Sequence, residues 1–262
     1  MIISLTTAEI NAWVVAFFFP LARVLALLAA APPFNNPALP TLIRLALGLA
    51  ITIGIAPVLP RMPALDPASG AGMLILAQEL IIGTAMGFAM RLVFSAVDMA
   101  GNIVSLEMGL GFASAYDPQT AGQTAVVSEF MGLLALLVFM AINGHLMVIA
   151  TLTHSFSVIP IGGPRLAATT WSSLANSAAI VFSAGLFLVL PIIVALMISN
   201  LALAILSRAA PQLNLMVIGF PLTIALGFAA LLFGLSYMGT PLQELFENGL
   251  QSMLGHFAIV TR

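Results

Sequence analysis

Apolar positions gather into six stretches, near residues 10–31, 39–59, 73–97, 126–152, 177–206 and 214–238. As helix, each is long enough to cross a hydrocarbon core of about 30 Å. The segments between them are rich in proline, glycine and polar residues. Pro32-Pro33-Phe34-Asn35-Asn36-Pro37 is the first, and Pro57 to Pro67, with Arg61, the second. Gly109 to Gly122, Ile161 to Arg165 and Ala210 to Asn214 follow. Prolines at such spacings end helices. With no repeat, heptad array or low-complexity tail, the pattern predicts an all-α integral membrane protein, or a subunit buried on most sides by other apolar subunits. It is read as one helical unit over residues 1–262, built of long, kinked helices and helical hairpins.

Two stretches exceed a simple crossing. Residues 177–206 would measure about 45 Å as straight helix, unless Pro191 kinks them, and 73–107 about 50 Å. Along the second, Thr84, Arg91, Ser95, Asp98, Asn102 and Ser105 step by helical intervals, which places them on one face. Polar groups within apolar helices face a bundle interior, a wet cavity or other protein. The stripe is therefore either packed within the fold, a subunit contact, or a face near a hydrated lumen. Gly83 and Gly87 form a small-xxx-small pair that lets a neighbouring helix approach closely.

Glu107-Met108-Gly109-Leu110-Gly111-Phe112 comes next, with Tyr116-Asp117-Pro118 beyond it. Gly109 and Gly111 permit positive φ and disfavour helix, and Asp-Pro signals a turn. The segment reads as a flexible loop carrying apolar side chains, either an ordinary connection or a movable plug. Irregular backbone at membrane depth survives only where protein buries it or where it lines water. Farther on, Ala210 to Asn214 joins two apolar helices. Thr240-Pro241-Leu242-Gln243 then reads as the start of a C-terminal helix, 241–260, by its capping residues and a proline at the first helical position. Apolar residues 242, 245, 246, 250, 253, 254 and 257 form one face of it, opposite Glu244, Glu247 and Gln251.

Composition narrows the class. Of 262 residues, 61% are hydrophobic and 6% charged, too little polar surface to cover a free soluble domain, where about 25% is usual. All seven basic residues are arginine, against nine acids. No basic patch for nucleic acid is present, nor a Lys/Arg cluster to fix membrane orientation. The N-terminus has no positively charged leader, so a removed signal peptide is not expected. No cysteine is present, so disulfide and thiolate chemistry are excluded for this sequence.

Enzyme signatures are missing. His145 and His154 lie nine apart, which is not the i, i+4 spacing of a helical metal pair. No nucleophile elbow occurs, and the loop is not a phosphate loop because no lysine follows its glycines. A non-enzymatic protein with no cofactor and no metal is expected. Two other readings stay open: a stand-alone secondary transporter, in which Arg91, Asp98 and Glu107 form an ion-coupling site, and an intramembrane hydrolase, which lacks a paired dyad.

Met108-Gly109-Leu110-Gly111-Phe112-Ala113 with Asp117-Pro118, Asn143-Gly144-His145 with Pro160-Ile161-Gly162, Asn200 to Leu203, and Arg208 to Leu222 together resemble one family. It is the FliR family of flagellar type III secretion export-gate subunits, and more loosely their virulence-system equivalents. The resemblance runs along nearly the whole chain. It implies a place in the bacterial inner membrane at the flagellar basal body, partly on the periplasmic side. It also implies assembly with FliP-type and FliQ-type subunits, an FlhB-type neighbour, contact with lipid, and passage of unfolded flagellar proteins. The family's plug loop aligns with residues 106–122. That makes Leu106, Met108, Gly109, Leu110, Gly111, Phe112 and Tyr116 the expected plug and gating residues, with Phe112 the apolar obstruction.

Overall fold

A computed structural model describes residues 7–60, 69–110, 126–163, 168–210 and 215–258, and within these the protein is helical. The helices are α1 (Thr7–Ala30), α2 (Thr41–Ile55), α3 (Gly70–Glu107), α4 (Val126–Ala141), α5 (Gly144–Val158), α6 (Ala168–Ser177), α7 (Ala179–Ala209) and α8 (Leu215–Ala258). A short 3-10 turn, Ala56–Val58, extends α2. Among the described residues, four runs are long and apolar enough to cross a membrane: Thr41–Val58, Gly70–Glu107, Thr169–Ala209 and Gly219–Gly255. The bent pair α4–α5 makes a fifth if taken as one span. α3 and α8, at 38 and 44 residues, are about 57 and 66 Å long, well beyond a bilayer core.

The expected single helix over 126–152 is in fact two, bent by 67°. The chain turns at Asn143, whose φ of 58° is left-handed. Asn is among the few residues that adopt this conformation at small cost, and α5 opens directly after it at Gly144. A second difference lies at Pro241. The sequence places a helix start there, whereas α8 runs through both Pro221 and Pro241. An internal proline removes one backbone hydrogen bond. Here the buried positions Leu242, Leu245, Phe246, Leu250 and Met253 continue the helix regardless.

The backbone divides into two compact units. The first comprises residues 1–91, 143–177 and 247–262, with Phe19, Leu27, Ile82, Met86 and Phe156 fully buried. The second comprises 92–142 and 178–246. Its core holds a triangle of Phe94, Phe139 and Phe246, with ring centroids 5.2–5.8 Å apart in tilted and edge-to-face arrangements. These are the geometries aromatic quadrupoles favour. α2, α7 and α8 leave most of their apolar surface uncovered, whereas α3 is largely buried.

Candidate functional site

The end of α3 is built by its own glycine. After Glu107 the chain turns, the Gly109 N–H donates to the Leu106 carbonyl at 3.0 Å, and the Leu110 N–H donates to Ser105 at 3.0 Å. With Gly109 at φ 79°, this is a Schellman ending, in which a left-handed residue satisfies the helix's last carbonyls. The positive φ that glycine permits at Gly109 is the one it adopts.

Three consecutive residues of this ending are held by other helices of the second unit. From α7, the Asn200 side-chain amide donates to the Glu107 carbonyl at 3.3 Å and to its carboxylate at 3.4 Å. From α8, the Thr223 hydroxyl lies 3.3 Å from the Met108 carbonyl and 3.0 Å from that of Phe220, between which its one proton is shared. The Met108 side chain is fully buried and fills the space where Gly227 has no Cβ; an added Cβ would overlap Met108 Cγ and lie 2.7 Å from its Sδ. Gly109 faces the Phe220 ring, 3.2 Å from where a Cβ would stand.

Beside this ending lies an open cleft of about 510 Å³, lined by Leu106, Glu107 and Gly109, by Asn200, Leu203, Ala204 and Ser207, and by Gly219, Phe220 and Thr223. Three stretches that carry the sequence resemblance therefore meet at one place. Leu106 is 69% exposed and Leu110 half-buried. Gly111, Phe112 and Tyr116 lie outside the described residues.

The polar positions of α3 fall largely on one accessible face. Thr84, Arg91, Asp98 and Asn102 are exposed, Ser95 is half-buried, and Ser105 is buried. The Asp98 carbonyl accepts from the Asn102 amide and from the Ser128 hydroxyl of α4, each at 2.9 Å. Arg91, Asp98 and Glu107 do not converge. Sixteen residues separate Arg91 from Glu107 on one helix, about 24 Å along its axis, and Glu107 faces Asn200 instead.

Gly83 and Gly87 lie against α1. A Cβ on Gly83 would strike the Arg23 carbonyl and come within 2.8 Å of Ala26, and one on Gly87 within 2.9 Å of the Leu27 carbonyl. The small-xxx-small pair thus brings two backbones together.

That close approach frames a cluster which sequence reasoning did not assemble. Arg23 is fully buried and pairs with the equally buried Glu79 through two hydrogen bonds, of 2.7 and 3.1 Å. It also donates to the Ser155 hydroxyl at 3.0 Å and the Ile159 carbonyl at 3.0 Å, and lies 4.2 Å from the centre of the Phe156 ring. A buried ion pair is tolerable only when its remaining protons and lone pairs are met in this way. Both are charges set within apolar stretches of the sequence. Their pairing across 56 positions had no local signal.

Elsewhere, His145 is half-buried and His154 exposed. Among the described residues, no group of three or more His, Asp or Glu is placed to hold a metal ion. On the C-terminal part of α8, Leu242, Leu245, Phe246, Leu250 and Met253 are buried while Glu244 and Gln251 are exposed, as the amphipathic pattern predicts.

Residues 14–249 match the family described as bacterial export proteins, family 1. The chain is 40% identical over 219 residues to the flagellar biosynthetic protein FliR of Pectobacterium carotovorum subsp. carotovorum, covering 84% of each. It is 40% identical over 227 residues to the FliR of Escherichia coli strain K12, covering 87% of each. Against the FliR of Bacillus subtilis strain 168 it is 26% identical over 248 residues, 94% of this chain and 95% of that one. A match over this much of the chain, joined to an all-helical fold whose resembling stretches meet at one cleft, places the protein in the bacterial export proteins, family 1.

Proposed function

We propose that this chain is a subunit of the flagellar type III export gate in the bacterial inner membrane. It works beside FliP-type and FliQ-type subunits, with an FlhB-type neighbour, and forms part of the channel through which unfolded flagellar proteins leave the cell. The observation that carries this reading is the family match over 14–249, with relatives named for flagellar biosynthesis at 40% identity. The geometry supports it through long helices whose apolar faces are left uncovered on the isolated chain. Such surface needs lipid or protein neighbours.

In this reading the segment from Leu106 to Gly122 is the plug of the closed channel, with Phe112 as its apolar obstruction. Opening displaces it when substrate enters, a rearrangement of the ordered-to-released kind. The face bearing Thr84, Arg91, Ser95, Asp98, Asn102 and Ser105 is a subunit contact or lies near the lumen. No step of bond making or breaking is required of any residue; the work is that of a selective barrier. The test is replacement of the chromosomal copy by one lacking Gly109 to Ser114. Export-competent cells whose inner membrane leaks small ions support the plug, whereas normal export with wild-type tightness refutes it. The transporter reading is weakened by the separation of Arg91 from Glu107, which leaves no shared ionic site.

A further inference from the structure

We propose that the buried Arg23–Glu79 pair sets the register of α1 against α3, and that without this pair α1 also docks one helical turn away. Arg23 and Glu79 act as positioning residues that choose between two arrangements the apolar packing leaves nearly equivalent.

On α1, Val15, Phe19, Arg23, Leu27 and Ala31 follow one another at intervals of four, and all five are buried. Such positions share one face of a helix. Beside them Ala22, Ala26 and Ala30 repeat at the same interval. Gly83 of α3 lies against Ala26, and Gly87 against Ala30. The order is the same along both helices, so they run parallel there. Screwing α1 forward by four residues, about 6 Å along its axis, sets Gly83 on Ala22 and Gly87 on Ala26. Glycine still meets alanine at both places. The glycine pair therefore fixes how closely the helices approach, and leaves their register open. Arg23 is the polar member of an otherwise apolar column. In the register observed it reaches Glu79, the Ser155 hydroxyl and the Ile159 carbonyl together. After the move Phe19 stands where Arg23 stood, and both charges are buried unpaired. That penalty holds the second register below roughly one in a hundred. A polar side chain on the apolar seam of a coiled coil selects register by the same means, at a cost in stability.

The chain contains no cysteine, so spin labels can be placed at will. Ala29→Cys on α1 and Leu74→Cys on α3 are both exposed positions. Double electron–electron resonance between them reads the register in membranes where the full-length chain is expressed with its partner subunits. Dilution with unlabelled chain isolates the distance within one molecule. With the native pair a single distance is expected. Arg23→Met with Glu79→Leu should add a second, comparably populated distance, longer by on the order of 5 Å. Phe19→Arg with Arg23→Phe exchanges two fully buried side chains and returns an arginine to Glu79 only after the move, so there the longer distance should dominate. Arg23→Lys keeps the charge in place and should keep the single short distance. One short distance in both double variants overturns the proposal, because loops or other contacts then fix the register. Failure of both to assemble also overturns it, since a usable second register is what the repeat must provide.

Discussion

At the scale of single residues, the Arg23–Glu79 pair dominates the first unit, because two formal charges with no solvent contact must satisfy each other. Removing one partner leaves the other buried and uncompensated. Glu79→Gln or Arg23→Met is expected to destabilise by about 3–5 kcal/mol. The double change Arg23→Met with Glu79→Leu should cost clearly less than the sum of the singles. Thermal unfolding of the purified assembly measures this, and simple additivity would show that the pair is not coupled. At Gly109, the left-handed backbone makes Gly109→Val costly by about 1–2 kcal/mol and Gly109→Asn milder. The readout is hydrogen exchange at the Gly109 and Leu110 amides, which close the end of α3; protection unchanged in Gly109→Val would contradict the assignment. These two sites differ in how much of each could be read in advance. Glycine after a long periodic run disfavours helix and permits positive φ, so the end of α3 near Gly109 was legible, although the value of φ was not. The Arg23–Glu79 pair depends on which helices become neighbours, and periodicity does not report that.

Helices set the next scale. The lengths of α3 and α7 were legible because nothing in their sequences stops them; Pro191 sits inside α7 without ending it. The same reasoning failed in opposite senses at two places. It joined α4 to α5, because apolar content continues across Asn143-Gly144 and a left-handed residue hardly alters hydropathy. It divided α8 at Pro241, because proline and its capping neighbours imitate a helix start, although the apolar face continues in register on the far side. The polar stripe of α3 was legible from spacing alone, since its six members share one helix. The break between α4 and α5 gives a test at this scale. Asn143→Gly should be neutral within about 0.5 kcal/mol, while Asn143→Val should cost about 1–2 kcal/mol through the left-handed φ. Thermal unfolding midpoints of the two variants decide it, and equal midpoints would argue against a specified turn.

For the whole molecule, the deciding property is apolar surface without cover. Phe182, Phe187, Met197, Ile198, Leu201 and Ile205 stand exposed on α7, and Phe228, Leu232 and Phe233 on α8. A hydrophobic fraction of 61% with 6% charge was enough to exclude a free soluble domain, but not to say whether lipid or protein covers such faces. Helices of 38 and 44 residues favour protein for part of their length, because a bilayer core covers only about 20 residues of a helix. Expressed alone, the chain should aggregate on detergent extraction. Expressed with FliP-type and FliQ-type partners, it should elute with them as one species on size exclusion; a monodisperse solitary chain that takes up solute in liposomes would favour the transporter instead. In the proposed reading this chain closes an export channel with the segment from Leu106 to Gly122. The measurement that tests it most directly is inner-membrane ion permeability, recorded together with flagellar protein export, in cells whose copy lacks Gly109 to Ser114. A leak absent from the parent strain, suppressed when the gate subunits are depleted, is expected. A tight membrane with unimpaired export would contradict it.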